Sequence, residues 1–215
     1  ITGDFIPSRD KRSDRDVEAY APQLSLMVLY QKGKISRNGR IQGIIPSMQS
    51  RVALIEKNIV TGSLRDLSES GQNLIIGDGL MENLGLRKGD SVTVVNGHGD
   101  RFQFKVSGAF QSGNKGVDES LSYVALTSAQ NIAGSPGQIS DIAVRLKDVG
   151  KSLDKAHEWS NDESAKVQSW EQINAATLNV FQVQDMTRYM MTAIILIVAG
   201  FGIYNILSIV VSQKK

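Results

Sequence analysis

Cysteine is absent from the 215 residues and histidine occurs only twice. Without thiols there is no disulfide framework and no thiolate metal site. An oxidising compartment fits this composition but is not demanded by it. His98 and His157 stand at no ligand spacing to each other or to a third donor, so a zinc site is not expected. His98 reads as a turn residue and His157 as a helical one, both on the surface. An excess of one charge is also missing. Lys and Arg total 24 against 22 Asp and Glu, a net charge of +2. No element carries the clustered cations of a nucleic-acid reader, so no nucleic-acid partner is expected.

Catalytic signatures are equally scarce. No G-x-S-x-G elbow is present. Gly150-Lys151-Ser152 has the ending of a phosphate-binding loop, but Arg145 stands where the pattern needs its first glycine. Asp78, Asp90 and Asp118 lie in glycine-containing turns, where an Asp usually satisfies local backbone donors. They are too few and too far apart for a calcium loop. The chain therefore reads as a non-enzyme with no catalytic residue, metal or cofactor.

What the sequence does hold is an uncharged apolar run, Met190 to Val211. At 1.5 Å per residue its roughly 22 residues make a helix of roughly 33 Å, enough to cross a hydrocarbon core of roughly 30 Å. With its flanks the expected transmembrane helix covers 188–213. Lys214 and Lys215 favour a cytoplasmic end there, which places residues 1–187 outside the cytoplasm. Starting on Ile1 and closing just past a helix, the chain reads as a segment of a longer membrane protein. About 187 residues before the span suffice for one sizeable domain or two small ones.

Residues 1–23, with alternating charges from Arg9 to Asp16, read as a solvated loop. Leu24 to Tyr30 is a buried strand, turned at Lys32-Gly33-Lys34 into a second strand, Gly39 to Ile45. Pro46 ends it, and Ser47 caps a short helix with Val52, Leu54 and Ile55 among its apolar positions. Residues 61–73 are loop-like. Leu74-Ile75-Ile76 is a strand, followed by a small helix that ends on a left-handed Gly85. Ser91 to Val95 and Arg101 to Phe110 form a hairpin about the turn Asn96 to Asp100, with a bulge near Gly108. Gln111 to Glu119 is a polar loop. Leu121 to Leu126 is a strand, and Thr127 caps the next helix. Ile139 to Leu146 is a strand, Val149 to Ser160 a helix, and Ala165 to Gln168 a short strand.

Ser169-Trp170-Glu171-Gln172 matches a capping box. No Pro or Gly follows until Gly200, so Trp170 to about Gln213 reads as one helix, roughly 66 Å long. Its first half is amphipathic, with Ile173, Ala176, Val180 and Val183 at helical spacing. Within the span Gly202, Asn205, Ser208 and Ser212 share one face, which suits close packing against another membrane helix. An unbroken helix from an outer domain into a bilayer can transmit force.

The order of these pieces resembles the extracytoplasmic domain of ABC-transporter permeases of the lipoprotein-releasing LolC/LolE type, kin to macrolide-exporter and FtsX-like permeases. The residues that carry the resemblance are Gly43-Ile44-Ile45-Pro46, Ile75-Ile76-Gly77, Leu84 to Asp90, Val106 to Phe110, Asp118 before Tyr123-Val124-Ala125, and Val167 to Trp170 before the long helix. Ile45 stands where the family often carries an acidic residue. The resemblance implies an α+β fold in two lobes, an α/β porter-like lobe from 1–45 and 138–170 and an inserted β-rich lobe from 46–137. It also implies a bacterial inner-membrane protein whose bulk is periplasmic. Its partners would be an ABC ATPase subunit, a second permease copy or paralogue, membrane lipid, and a lipoprotein with its periplasmic carrier. A docking loop for such a carrier would fall, at best, on Gln111 to Glu119. The function implied is a permease that couples ATP hydrolysis on a partner to extraction or export of an envelope substrate. Two alternatives stand beside it: an FtsX-like regulator that activates an extracytoplasmic partner, and a membrane-anchored sensor.

Overall fold

The first strand is the spine of the domain. A computed structural model describes residues 14–160, 166–173 and 175–212. β1 runs over Val17–Lys32, sixteen residues. From Val17 to Gln23 it pairs antiparallel with β8 (Asp141–Leu146), and from Gln23 to Lys32 with β2 (Ile35–Ile44). β2 then pairs in parallel with β7 (Leu121–Ala125), and β7 antiparallel with β4 (Asn73–Gly77). β4 runs parallel to β6 (Arg101–Phe110), which pairs antiparallel with β5 (Ser91–Val95). β5 returns to β1 at Leu29, Tyr30 and Gln31. Six strands thus close a mixed ring. β8 hangs from β1 outside it, and β3 (Ile59–Thr61) adds to β6 beyond the reach of β5.

Side-chain alternation explains why two cores form rather than one. Successive residues of a strand face opposite sides. In β4, Leu74 and Ile76 face one cluster with Val28, Tyr30, Ile41, Val94 and Val106. Ile75, between them, faces a second cluster with Ile44, Leu64, Leu67, Phe110 and Leu121. Burying each such side chain contributes about 1.5–3 kcal/mol of transfer free energy. The first cluster is joined by Leu80 and Leu84, on and just after α3 (Asp78–Asn83), and by Ala129 and Ile132 of α5 (Leu126–Ala133). The second is covered by Leu67 of α2 (Asp66–Glu69).

Several sequence expectations are met in detail. The turn after β1 holds Gly33 at φ 58°, and Gly85 follows α3 at φ 60°. The β4–β6 register slips so that Leu74 faces Val106 and Ile75 faces Gly108, which is the bulge. Of the two glycines in the β5–β6 turn only Gly99 takes a positive φ.

Other expectations are corrected. Val17 to Gln23 is strand, not loop, because β8, more than a hundred residues away in the chain, supplies its ladder partners. In the ring, β2 and the second half of β1, which precede residue 46, pair with β7 and β5. α1 (Pro46–Val52) has no Ser47 cap; Pro46 itself occupies the first turn, where its fixed φ suits a helix and its missing N–H costs nothing. Leu54 is exposed and Ile55 opens a separate 3-10 turn, Ile55–Asn58. α2 interrupts the expected loop 61–73. α5 starts at Leu126 with no side-chain cap, so Thr127 lies inside it. Lys166 to Gln168 form no strand, and Ala165 lies outside the described residues.

The chain divides into two compact units, Ile1–Val149 and Gly150–Lys215. The second, taken by itself, contains α6 (Ser152–Ser160), α7 (Trp170–Ile173) and α8 (Ala175–Ser212).

Candidate functional site

The residues that carry the resemblance prove to be packing devices. A Cβ on Gly43 would stand 2.3 Å from the Ala129 Cβ, so α5 lies flush on β2 only because Gly43 has no side chain. A Cβ on Gly77 would stand 2.2 Å from the Asp118 carbonyl oxygen. That approach seats the start of α3 against the loop after β6.

The loop is built inward. Asp118 is 5% exposed and accepts hydrogen bonds from the Ser112 N–H at 2.7 Å, the Ser112 hydroxyl at 2.7 Å and the Gly113 N–H at 3.2 Å. Asn114 Oδ1 accepts from the Gly116 and Val117 N–H groups and so starts α4 (Lys115–Asp118). A segment expected to be a free polar loop is thus a tied turn. The signal in the sequence was the Asn114 to Asp118 spacing, which places a cap and an acid on one short helical turn.

Chemistry-bearing side chains do not converge. His98 is exposed in the β5–β6 turn, its N–H donated to Asn96 Oδ1 at 2.9 Å, and His157 is exposed on α6. Among the described residues no three His, Asp or Glu side chains gather as a metal site. A side-chain amide network runs from Gln42 Nε2 to Gln23 Oε1 at 2.5 Å and, buried, from Gln23 Nε2 to Gln49 Oε1 at 2.9 Å. It sits where β1 changes partner from β8 to β2, and α1 contributes Gln49. Nothing in the sequence pattern announced it, because amide partners far apart in the chain leave no periodicity.

The candidate element is helical. α7 begins in the expected capping box: the Ser169 N–H donates to Gln172 Oε1 at 3.0 Å and the Gln172 N–H to Ser169 Oγ at 3.3 Å. The Ser152 hydroxyl of α6 lies 2.6 and 2.7 Å from the two Glu171 carboxylate oxygens. Desolvation pushes the Glu171 carboxyl up, but the Ser152 hydroxyl and nearby backbone donors outweigh it and hold the group below its usual range. α8 then runs 38 residues. Asn174, between α7 and α8, lies outside the described residues, as does Gln213, so the expected unbroken helix is described in two pieces.

One stretch of α8, Val183–Tyr204, is long and apolar enough to cross a membrane, and none of it is buried. Ile195, Leu196, Phe201 and Tyr204 are each about two-thirds exposed, which in water is unfavourable for side chains of this size. That stretch begins seven residues before the expected Met190, because it admits Asp185 and Arg188. These two form an ion pair on adjacent turns. On the expected packing face, Gly202 has open space around it. The side chains of Asn205, Ser208 and Ser212 lie outside the described residues.

Comparison with known proteins agrees with this architecture. Residues 3–159 match the model of the MacB-like periplasmic core domain. The lipoprotein-releasing system transmembrane protein LolC of Xylella fastidiosa (strain Temecula1 / ATCC 700964) is 24% identical over 207 residues, 91% of this chain and 49% of the relative. LolC of Neisseria meningitidis serogroup B is 23% identical over 214 residues, 94% of this chain and 51% of the relative. The chain therefore spans about half the length of the curated relatives it matches. Among solved structures, the periplasmic region of MacB from Actinobacillus actinomycetemcomitans superposes with a TM-score of 0.52 at 14% identity, covering 79% of this chain and 80% of that one. The extracellular domain of the noncanonic ABC-type transporter YknZ from Gram-positive bacteria gives 0.50 at 14% identity, covering 73% and 81%. Both likenesses concern the fold alone. With the match covering most of its residues, the chain belongs to the MacB-like periplasmic core domain family.

Proposed function

We propose that this chain is the periplasmic domain and one membrane helix of an ABC-transporter permease in a bacterial inner membrane. In this reading an ATPase subunit on the cytoplasmic side hydrolyses ATP, and a second permease copy or paralogue completes the transporter. α7 and α8 carry the resulting movement between the bilayer and the outer domain. The cargo is a lipoprotein or another envelope substrate, passed to a periplasmic carrier. The ring of β-strands serves as the inserted lobe, and β8 with the first half of β1 serves the porter-like lobe.

The observation that carries this reading is α8: 38 helical residues whose described apolar side chains, between Val183 and Ile209, are exposed, in a chain of this family. An apolar helix with nothing packed on it is stable in lipid and not in water. Isolation of the intact membrane protein from native membranes tests the proposal. Recovery of an ABC ATPase and an acylated protein with it is the expected result. Recovery of a cell-wall hydrolase and no acylated protein would favour an FtsX-like regulator instead.

A further inference from the structure

We propose that one end of the strand ring is a docking surface for an acidic protein segment. Two turns distant in sequence meet there, the β1–β2 turn and the turn between α3 and β5. Lys32 binds them: its ammonium donates to the Gly85 carbonyl at 2.8 Å and to Asp90 Oδ2 at 2.5 Å. Asp90 also accepts the Arg87 N–H at 3.1 Å, so the acid of this region is committed to the turn itself. Lys34, Arg37, Arg87 and Lys88 surround the junction, and all four are exposed. None of them has an ion-pair partner among the described residues. Arg37 faces Tyr30 across the hairpin while Ile35 faces Lys32, so Arg37 and Lys32 are diagonal neighbours on one side of the ladder.

Four like charges gathered at one end raise the free energy of the folded domain slightly and give it nothing in return internally. Outwardly they form a positive field that speeds the approach of an acidic partner and fixes its register. Two of the four are guanidinium groups, whose planar fork takes a carboxylate with two parallel hydrogen bonds. Ile35, 43% exposed, adds an apolar contact among the charges, while Leu86 is turned inward. This mixture suits a carboxylate-bearing peptide. A membrane surface would be met by aromatic or several long apolar side chains, and neither turn offers them.

The test uses the full chain in phosphatidylcholine nanodiscs and a fluorescent peptide of alternating Glu and Leu. Binding is expected, weakening as salt rises. The combined reversal Lys34→Glu, Arg37→Glu, Arg87→Glu and Lys88→Glu should weaken it about tenfold or more. A control reversal of four exposed cations elsewhere, Arg51, Lys57, Arg65 and Arg101, should leave it within about twofold. Equal weakening by both reversals would overturn the proposal, as would no binding by the unaltered chain. Capture of phosphatidylglycerol vesicles in preference to the peptide would overturn it in favour of lipid, and competition by inorganic phosphate at low concentration would do so in favour of a free anion. If the reversal disturbs folding by circular dichroism, the four Gln substitutions replace it, with weaker but still selective loss expected.

Discussion

Ser169 and Gln172 exchange two hydrogen bonds, each side chain accepting from the other's backbone N–H at 3.0 and 3.3 Å. This reciprocal cap fixes where the helical part of the second unit starts. Ser169→Ala should destabilise α7 by about 1 kcal/mol. Hydrogen exchange at the Gln172 amide checks it: exchange should quicken in Ser169→Ala, while Gln172→Ala should free the Ser169 amide. Unaltered exchange in both variants would show that the cap does not hold the helix start.

Gly43→Ala should destabilise the first unit by about 1–3 kcal/mol, because its methyl would overlap the Ala129 methyl. The double variant Gly43→Ala with Ala129→Gly should recover most of the loss, since the two sites share one contact. Urea midpoints of the four proteins give the coupling. A double variant as unstable as the sum of the singles would place the conflict elsewhere.

Tyr30 is fully buried, with its hydroxyl shared with Ser122 Oγ and near the Arg40 carbonyl at 3.2 Å. Burial pushes its phenol far above the ordinary value of 10.0, with the Ser122 contact opposing only in part. Tyr123 is pushed up to about 12, first by burial, with Arg40 lowering and Asp118 raising it. The sign follows directly. Above pH of about 10 the unfolded chain loses these protons while the folded one keeps them, so stability falls as pH rises. Tyr30→Phe should cost about 1–2 kcal/mol at neutral pH through lost hydrogen bonds. It should also flatten the alkaline decline, read from denaturation midpoints against pH. Phenolate absorbance of Tyr30 appearing near pH 10 in the folded protein would contradict the burial argument.

For the membrane segment we propose that Gly202 lies in a helix-packing face with Asn205, Ser208 and Ser212. Gly202→Leu should then weaken helix association in membranes by about 1 kcal/mol and leave the outer domain's melting unchanged. Cross-linking through an introduced Ile206→Cys measures it. The same cross-linking yield with and without Gly202→Leu would remove this face from the account.

Local chemistry was legible in the sequence and long-range pairing was not. The hairpin turn at Gly33, the left-handed Gly85 and the cap at Ser169 depend on residues within a few positions of one another. Val17 to Gln23 was opaque because its strand character comes from β8, more than a hundred residues away. The closing of the ring was hidden for the same reason, since β5 meets β1 over three residues only. Of the candidate element, the apolar helix was plain, because its run of uncharged residues is continuous in the sequence. The turn at Asp118 was half legible: an Asp among glycines announced local backbone hydrogen bonds, while its burial depends on packing the sequence does not display.

β1 serves two masters, and this has a consequence for dissecting the protein. A gene fragment cut to residues 46–137 would leave out β2 and both halves of β1. The edges of β5 and β7 that they cover would then lie open, with their N–H and C=O groups free to recruit any passing chain. Such a fragment should precipitate, whereas one beginning ahead of Leu24 keeps the ring shut. The boundaries of a foldable piece here are drawn by who pairs with whom, not by where the inserted stretch begins and ends.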